Sequence, residues 1–294
     1  MDWSDTALEA NHRVMLQLRT IPRQILSWSD NESMMDDWLI SRLKQREIEF
    51  EQAMDSYDLR RAVEISHYEL IKDVNWYVRR GGNNCHIGTK LLTSWAHLIS
   101  ISTPHLAEEW WRILGKQGLI ANTISNPVRK ITLSEQKILD EEYIMRNILE
   151  NARKVKTIAE RHLDEDAKTL TLIICPQWKK DLAKMAIDYV GEGGNVKAFM
   201  SVLKDSSLGE LENKGEIFAF WGKKMLPQVF KWDDKAKLLI TGDIDESELL
   251  LKRAEFIASE LGIKEVKVQS VEQLTDKPER ANSAMPLSPA IIYA

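Results

Sequence analysis

The stretch from Tyr57 to Trp111 constrains this chain most, because it carries helical periodicity on both sides of a glycine pair. Leu59, Val63, Ser66, Leu70, Val74 and Tyr77 recur at intervals of three and four, one face of an α-helix. Ile87, Leu91, Trp95 and Leu98 repeat the pattern in a second helix. Gly81-Gly82 separates the two, and Arg79 and Arg80 suit the negative end of the first helix's dipole. Thr103-Pro104 opens a third helix, with Thr103 as N-cap and Pro104 at the first position. Such stripes bury themselves against one another, which predicts an antiparallel helix bundle.

The flanks extend the bundle. Leu8, Val14, Leu18, Ile21, Ile25 and Trp28 predict a helix over 5–28, with Pro22 as a kink. Ser33 and Asp36 approximate a capping box for a second helix to about Met54, with Trp38, Leu39, Leu43 and Phe50 inward. Residues 115–133 are irregular, with Gly115, Gly118, Asn122, Asn126 and Pro127. Thr132-Leu133-Ser134-Glu135 reads as a capping box before a long helix to about His162. Its predicted inward face is Ile138, Tyr143, Met145, Ile148, Ala152, Val155 and Ile158.

After residue 166 the period changes. Lys168–Cys175 and Val266–Val271 read as strands. Pro176 starts a helix, Asn195–Phe230 holds two or three short helices, and Leu238–Thr241 fits helix or strand. Glu246–Leu261 reads as one helix stopped by Gly262. A polar segment, Thr275–Ser283, leads to apolar residues that add a strand edge at the end of the chain. The fold class is mainly α: a bundle at residues 1–130, a connecting helix at 131–166, and a small α+β domain at 167–294.

Composition narrows the function. With a net charge of −5, no global positive field draws in nucleic acid, so any RNA contact must come from local basic clusters. Cys85 and Cys175 make no metal-ligand spacing and read as reduced thiols. No apolar run reaches the length of a membrane span, and Met1–Asp5 lacks the features of a signal peptide.

Several short stretches carry a resemblance. Asn75-Trp76-Tyr77-Val78-Arg79-Arg80, followed by Ser102-Thr103-Pro104-His105-Leu106-Ala107-Glu108-Glu109-Trp110, resembles the anticodon-binding bundle of class I aminoacyl-tRNA synthetases. The aromatic-arginine helix end, Trp38-Leu39-Ile40-Ser41-Arg42-Leu43 and Cys175-Pro176-Gln177-Trp178-Lys179 look most like archaeal-type leucyl-tRNA synthetase. The closing Pro286 and Pro289-Ala290-Ile291 are similar to that family's end. Cys175 departs from the family's alanine, and Ala294 from its usual acidic final residue. The Asp2-Trp3 opening resembles the segment after the catalytic module, which implies a chain that begins just after it.

The resemblance implies a tRNA-binding C-terminal portion that positions leucine tRNA, with its long variable arm, for leucylation elsewhere in the same polypeptide. ATP and Mg2+ would serve that parent ligase, with no cofactor in this chain. A cytoplasmic monomer without membrane contact is expected. His86-Ile87-Gly88-Thr89 lacks the second histidine and the strand setting of the family's ATP motif. Gly222-Lys223-Lys224-Met225 is not its mobile lysine loop. The chain alone is therefore expected to be inactive. Isoleucyl, valyl or methionyl enzymes share the bundle, but the Trp178-Lys179 strand and the terminal Pro-Ala-Ile argue against them. The sequence is also compatible with a free-standing tRNA-binding accessory protein derived from a synthetase, or with a helical scaffold that has no RNA role.

The candidate tRNA-binding residues are Arg60, Arg61, Arg79, Arg80, Trp178, Lys179, Lys180, Ile291, Ile292 and Tyr293. Arg79 and Arg80 serve either the helix dipole or RNA phosphates, contacts that position without reading sequence. Arg60 and Arg61 begin a helix, where cations are disfavoured, so they read either as solvated charges or as a ligand's partners. Trp178 is either core or a platform on which an unpaired base stacks. Ile291–Tyr293 form either a strand edge or, as the resemblance implies, a tail that reads splayed bases of the variable arm. Trp110, Trp111, His97 and His105 read as structural.

Overall fold

A computed structural model describes residues 4–123, 130–161, 167–191, 195, 198–274 and 278–294. The positions named above at Asp2, Trp3, Asn126, Pro127, His162 and Thr275 lie outside these. The chain divides into two compact units, Met1–Leu139 and Asp140–Ala294.

In the first unit, α1 (Asp5–Leu26), α2 (Asp36–Asp55), α3 (Leu59–Glu64), α4 (Leu70–Arg79), α5 (Cys85–Ser100) and α6 (Pro104–Ile113) enclose one apolar core. A short antiparallel ribbon pairs β1 (Asp30–Asn31) with β2 (Asn83–Asn84). Trp95 and Trp110 meet edge to face at 5.2 Å inside the core. Their N–H groups are matched: Trp95 Nε1 donates to Ser66 O (2.6 Å) and Trp110 Nε1 to Leu18 O (3.1 Å).

Ser66 lies in a π-helical turn, Ile65–Glu69, that joins α3 to α4. The extra residue of that turn rotates the inward face by about 100°. Leu59, predicted inward, is accordingly 58% exposed, whereas Leu70, Val74 and Tyr77 are buried as predicted. Gly81 ends the run with φ +84°, and Gly82 N donates back to Tyr77 O (2.9 Å). Pro104 opens α6 as predicted, but the Thr103 hydroxyl donates to Ile99 O (3.0 Å) instead of capping that helix.

The Thr132 capping box forms. Thr132 N donates to Glu135 Oε2 (2.9 Å) and Glu135 N to Thr132 Oγ1 (3.3 Å), and α7 (Leu133–Ala159) follows. Its buried stripe is Ile144, Met145, Ile148, Leu149 and Ala152. Tyr143 and Ile158, predicted inward, are exposed, because the stripe takes adjacent pairs one turn apart.

The second unit holds a three-stranded sheet of β3 (Thr169–Ile174), β4 (Glu265–Ser270) and β5 (Ala290–Tyr293), in the order β4-β3-β5. β3 pairs parallel with β4 (Thr169 opposite Glu265) and antiparallel with β5 (Leu170 opposite Tyr293). Between β3 and β4 run α8 (Gln177–Gly191), α9 (Phe199–Lys204), α10 (Lys214–Phe220), α11 (Leu226–Lys231), α12 (Asp234–Thr241), α13 (Glu246–Leu251) and α14 (Ala254–Leu261). Leu238–Thr241 thus resolves as helix. The single helix predicted over 246–261 breaks at Lys252-Arg253, where the Arg253 guanidinium turns to Glu141 (3.1 Å). Gly262, at φ +62°, stops α14 as predicted. The architecture is mainly α, a helix bundle followed by a small α+β region.

Candidate nucleic-acid interface

In the first unit the basic residues separate into those tied inward and those turned outward. Arg46 Nε stands 2.9 Å from Asp73 Oδ2, and its Nη1 meets Glu69 as well as Glu49 (2.8 Å). Arg42 Nε lies 3.3 Å from Asp73. Arg61 donates to Glu69 (2.6 Å) and Glu49 (3.1 Å). Asp73 and Arg46 are buried. Burial works against the Arg46 charge, but Asp73 and the two glutamates hold its pKa above the ordinary value. Burial likewise opposes ionisation of Glu69, yet the Arg61 hydrogen bond and the charges of Arg46, Arg61 and Arg42 keep its carboxyl below the usual range.

This network accounts for a cation at the start of α3, where the dipole disfavours one. Arg61 is held by carboxylates, and Asp58 Oδ1 caps the helix by accepting from Arg61 N (3.0 Å). Arg60 is exposed and pairs with Glu64 (3.0 Å). Arg79 is exposed, 5.8 Å from the Trp76 ring, and Arg80 is half-buried. The helix end that carries them is fixed from below. Tyr77 Oη donates to Asp36 Oδ1 (2.6 Å) and accepts from Asn84 N (3.1 Å), while Asn84 Nδ2 donates to Asp36 Oδ2 (2.6 Å). Burial, then the neighbouring Asp36, pushes the Tyr77 phenol well above its ordinary range.

The second unit treats its predicted residues differently. Trp178 is half-buried and meets Phe220 edge to face at 5.2 Å. Lys179 is 3% exposed; its Nζ donates to Asn282 O (3.0 Å) and Ala284 O (2.9 Å) and lies 4.4 Å from the Phe220 ring. Burial lowers its pKa. In this setting Lys179 fastens the segment that leads to β5. Lys180 is half-buried in a cleft of about 310 Å³ that also includes Lys184 and Glu246.

The tail is the edge strand β5. Ile291 and Tyr293 are buried, and Ile292 is half-buried. Tyr293 Oη donates to Ala152 O (2.8 Å), and Ala294 O accepts from Lys168 N (2.9 Å) and Thr169 N (2.8 Å). Beside this strand opens a cleft of about 660 Å³. Ile148, Val155, Ile158, Pro289 and Ile291 contribute apolar surface to it, and Asn151, Lys154, Arg280, Ser283 and Ser288 contribute polar groups. Lys154 and Arg280 are exposed. An apolar wall beside cations suits an unstacked base with its phosphate. Sequence reasoning missed Lys154 and Arg280. Neither sits in a motif, and the available signal was the polar stretch before the apolar tail.

Comparison with known proteins bears on both units. Residues 36–171 match the family described as the anticodon-binding domain of tRNA ligase. The leucine–tRNA ligase of Archaeoglobus fulgidus is 29% identical over 297 residues, 100% of this chain and 28% of that protein. That of Methanocaldococcus jannaschii is 28% identical over 262 residues, 88% of this chain and 25% of that protein. That of Methanothrix thermoacetophila is 28% identical over 302 residues, 99% of this chain and 30% of that protein. The chain therefore spans under a third of the length of these relatives. They are leucine enzymes, and neither a sister enzyme nor a free-standing accessory protein is favoured. Among the described residues, no helix is long and apolar enough to cross a membrane. Residues 36–171 are thus similar to the anticodon-binding domain of tRNA ligases, and the chain along most of its length is similar to a part of these archaeal leucine–tRNA ligases.

Proposed function

We propose that this chain holds leucine tRNA for leucylation by a catalytic module of the same polypeptide. Residues 1–130 lie against the tRNA backbone, residues 131–166 connect, and residues 167–294 take the long variable arm. Arg60, Arg79 and Arg80 contact phosphates, with Arg61 anchored by Glu69 beside them. Lys180 adds a further phosphate contact, and the free part of Trp178 meets a base. The mechanism is positioning, which sets the acceptor end at a distant active site. ATP and Mg2+ act at that site. The protein works as a cytoplasmic monomer.

The observation that carries this reading is the cleft beside β5, in a chain that also contains an anticodon-binding domain. Lys154 and Arg280 take the phosphates of a variable-arm nucleotide, and Ile158 and Ile291 receive its base. Ile291, Ile292 and Tyr293 serve as wall and strand edge, while Lys179 positions the segment that carries Arg280.

The test is binding of a long-armed leucine tRNA and a short-armed tRNA at two salt concentrations. Deleting the tail would remove β5, so substitution at the rim is the cleaner probe. The Lys154→Ala, Arg280→Ala double variant should lose the preference for the long arm and keep weak, salt-dependent binding to both. An Arg79→Ala variant should weaken both tRNAs alike and lower the salt slope by about one unit. A long-arm preference that survives the double variant overturns the cleft as the reading element.

A further inference from the structure

We propose that Asp30, Cys85 and His86 form a binding site for a divalent cation of the zinc class at the β1–β2 ribbon. One carboxylate oxygen, the thiol Sγ and an imidazole nitrogen all lie within 4.8 Å of one another. His86 Nε2 stands 3.1 Å from Asp30 Oδ1. Thiolate, imidazole and carboxylate together are a donor set that suits Zn2+ over Mg2+ or Ca2+. Three protein ligands leave the fourth tetrahedral position to water.

The backbone on both sides of the site is already fixed. Asp30 lies opposite Asn84 in the ribbon, and Cys85 N donates to Ser29 O (2.8 Å). Ser29 Oγ donates to Asn83 O (3.1 Å), and Asn83 Nδ2 donates to Ser29 Oγ (2.9 Å). The Asn84 side chain caps α5 by accepting from His86 N (3.0 Å). Gly88 lets the first turn of α5 lie against the end of α1, since a Cβ there would stand 2.3 Å from Ile25 Cγ2. A zinc ion there would draw the three donors to ~2.0–2.3 Å from itself.

Asp30 and His86 are exposed and Cys85 is half-buried, so an ion reaches the site directly from solvent. Linear spacing conceals the site, because Asp30 joins the Cys-His pair only through the ribbon. The bound ion would clamp the loop that follows Arg79 and Arg80 to the loop between α1 and α2.

The test uses the full chain with Co2+ as an optical probe for Zn2+. A thiolate-to-cobalt charge-transfer band and the intense visible bands of tetrahedral cobalt are expected, both erased by added Zn2+. Cys85→Ser should abolish them. His86→Gln and Asp30→Asn should each weaken cobalt affinity by at least about tenfold. Cys175→Ala should leave the spectrum unchanged, because Cys175 is buried and its thiol is pushed up to about 12, first by burial. Zn2+ should raise the melting temperature of the wild-type chain and not that of Cys85→Ser. The proposal is overturned if no tetrahedral bands appear. Bands that keep their strength in the Asp30→Asn, His86→Gln double variant overturn it equally, because they reveal a simple cysteine adduct.

Discussion

The two units handle buried charge in different ways. In the bundle, Arg46 and Asp73 are buried together, and Glu49, Glu69, Arg42 and Arg61 complete the set, so each charge faces its opposite. In the α+β unit, Lys179 and Glu246 are buried with no salt bridge among the described residues; Glu216 and Lys180 act on them only at longer range, and both lean on the backbone. Lys179 donates to two carbonyls, and Glu246 Oε2 accepts from Leu287 N (3.3 Å). Glu246 Oε1 has no hydrogen-bond partner among the described residues. A paired set keeps its ionisation fixed, whereas a lone buried acid gives way to protonation. Burial accordingly raises the Glu246 carboxyl to about 7. The paired network of the bundle thus keeps its charges where Glu246 in the α+β unit titrates.

The sharpest way to break this comparison is to unpair the bundle's network. Arg46→Ala leaves Asp73 buried without its closest partner. It should cost roughly 3–5 kcal/mol of bundle stability. Urea unfolding followed by circular dichroism measures it, and a loss below about 1 kcal/mol would place these ion pairs with solvent-screened surface pairs.

Glu246 provides the complementary test. Its ordinary value is 4.5, and the folded unit holds the proton up to about 7. The folded state therefore binds more protons than the unfolded chain between those values. Its contribution is fully present below about pH 4.5, is lost as pH rises to about 7, and stays lost above. The loss amounts to roughly 3 kcal/mol. Glu246→Gln should be more stable than the wild type at pH 8, with the gap shrinking toward pH 5. An equal gap at both pH values would mean that Glu246 does not titrate in this window.

What was legible in the chain, and what was not, follows the range of the interactions. The helices of the bundle, the Gly81 and Gly262 stops and the Thr132–Glu135 box are local, so spacing and cap chemistry reveal them. The π turn at Ile65–Glu69 was not legible, because the carbonyl of Ser66 serves an indole 29 residues away. Partners 27 residues apart hid Arg46–Asp73, and partners 8 and 12 residues away made Arg61 look like a free cation. In the second unit, Trp178-Lys179 was visible as a motif. Its lysine is buried because Asn282 and Ala284 return to it from the far end of the chain. Lys154 and Arg280 belong to no motif. The β5 edge brings them to one cleft, and only the folded chain shows that.

The smallest effect tests how far the two units unfold separately. Thr132→Ala removes the side chain that caps α7 and should cost about 1 kcal/mol. Glu135 reports the same change. Its carboxyl is held down at about 2, first by a hydrogen bond from Lys44 and then by Thr132. In Thr132→Ala its pKa should rise part of the way toward the ordinary 4.5, and in Lys44→Ala further, which carboxyl NMR shifts against pH would measure. The cap lies in the first unit, while α7 continues past Leu139 into the second. If the units unfold independently, Thr132→Ala shifts only the bundle's transition in urea. Equal shifts of both transitions would mean that α7 folds as one cooperative rod. The contrast between the paired network of the bundle and the lone acid of the α+β unit would then blur, because the titration of Glu246 would bear on both transitions.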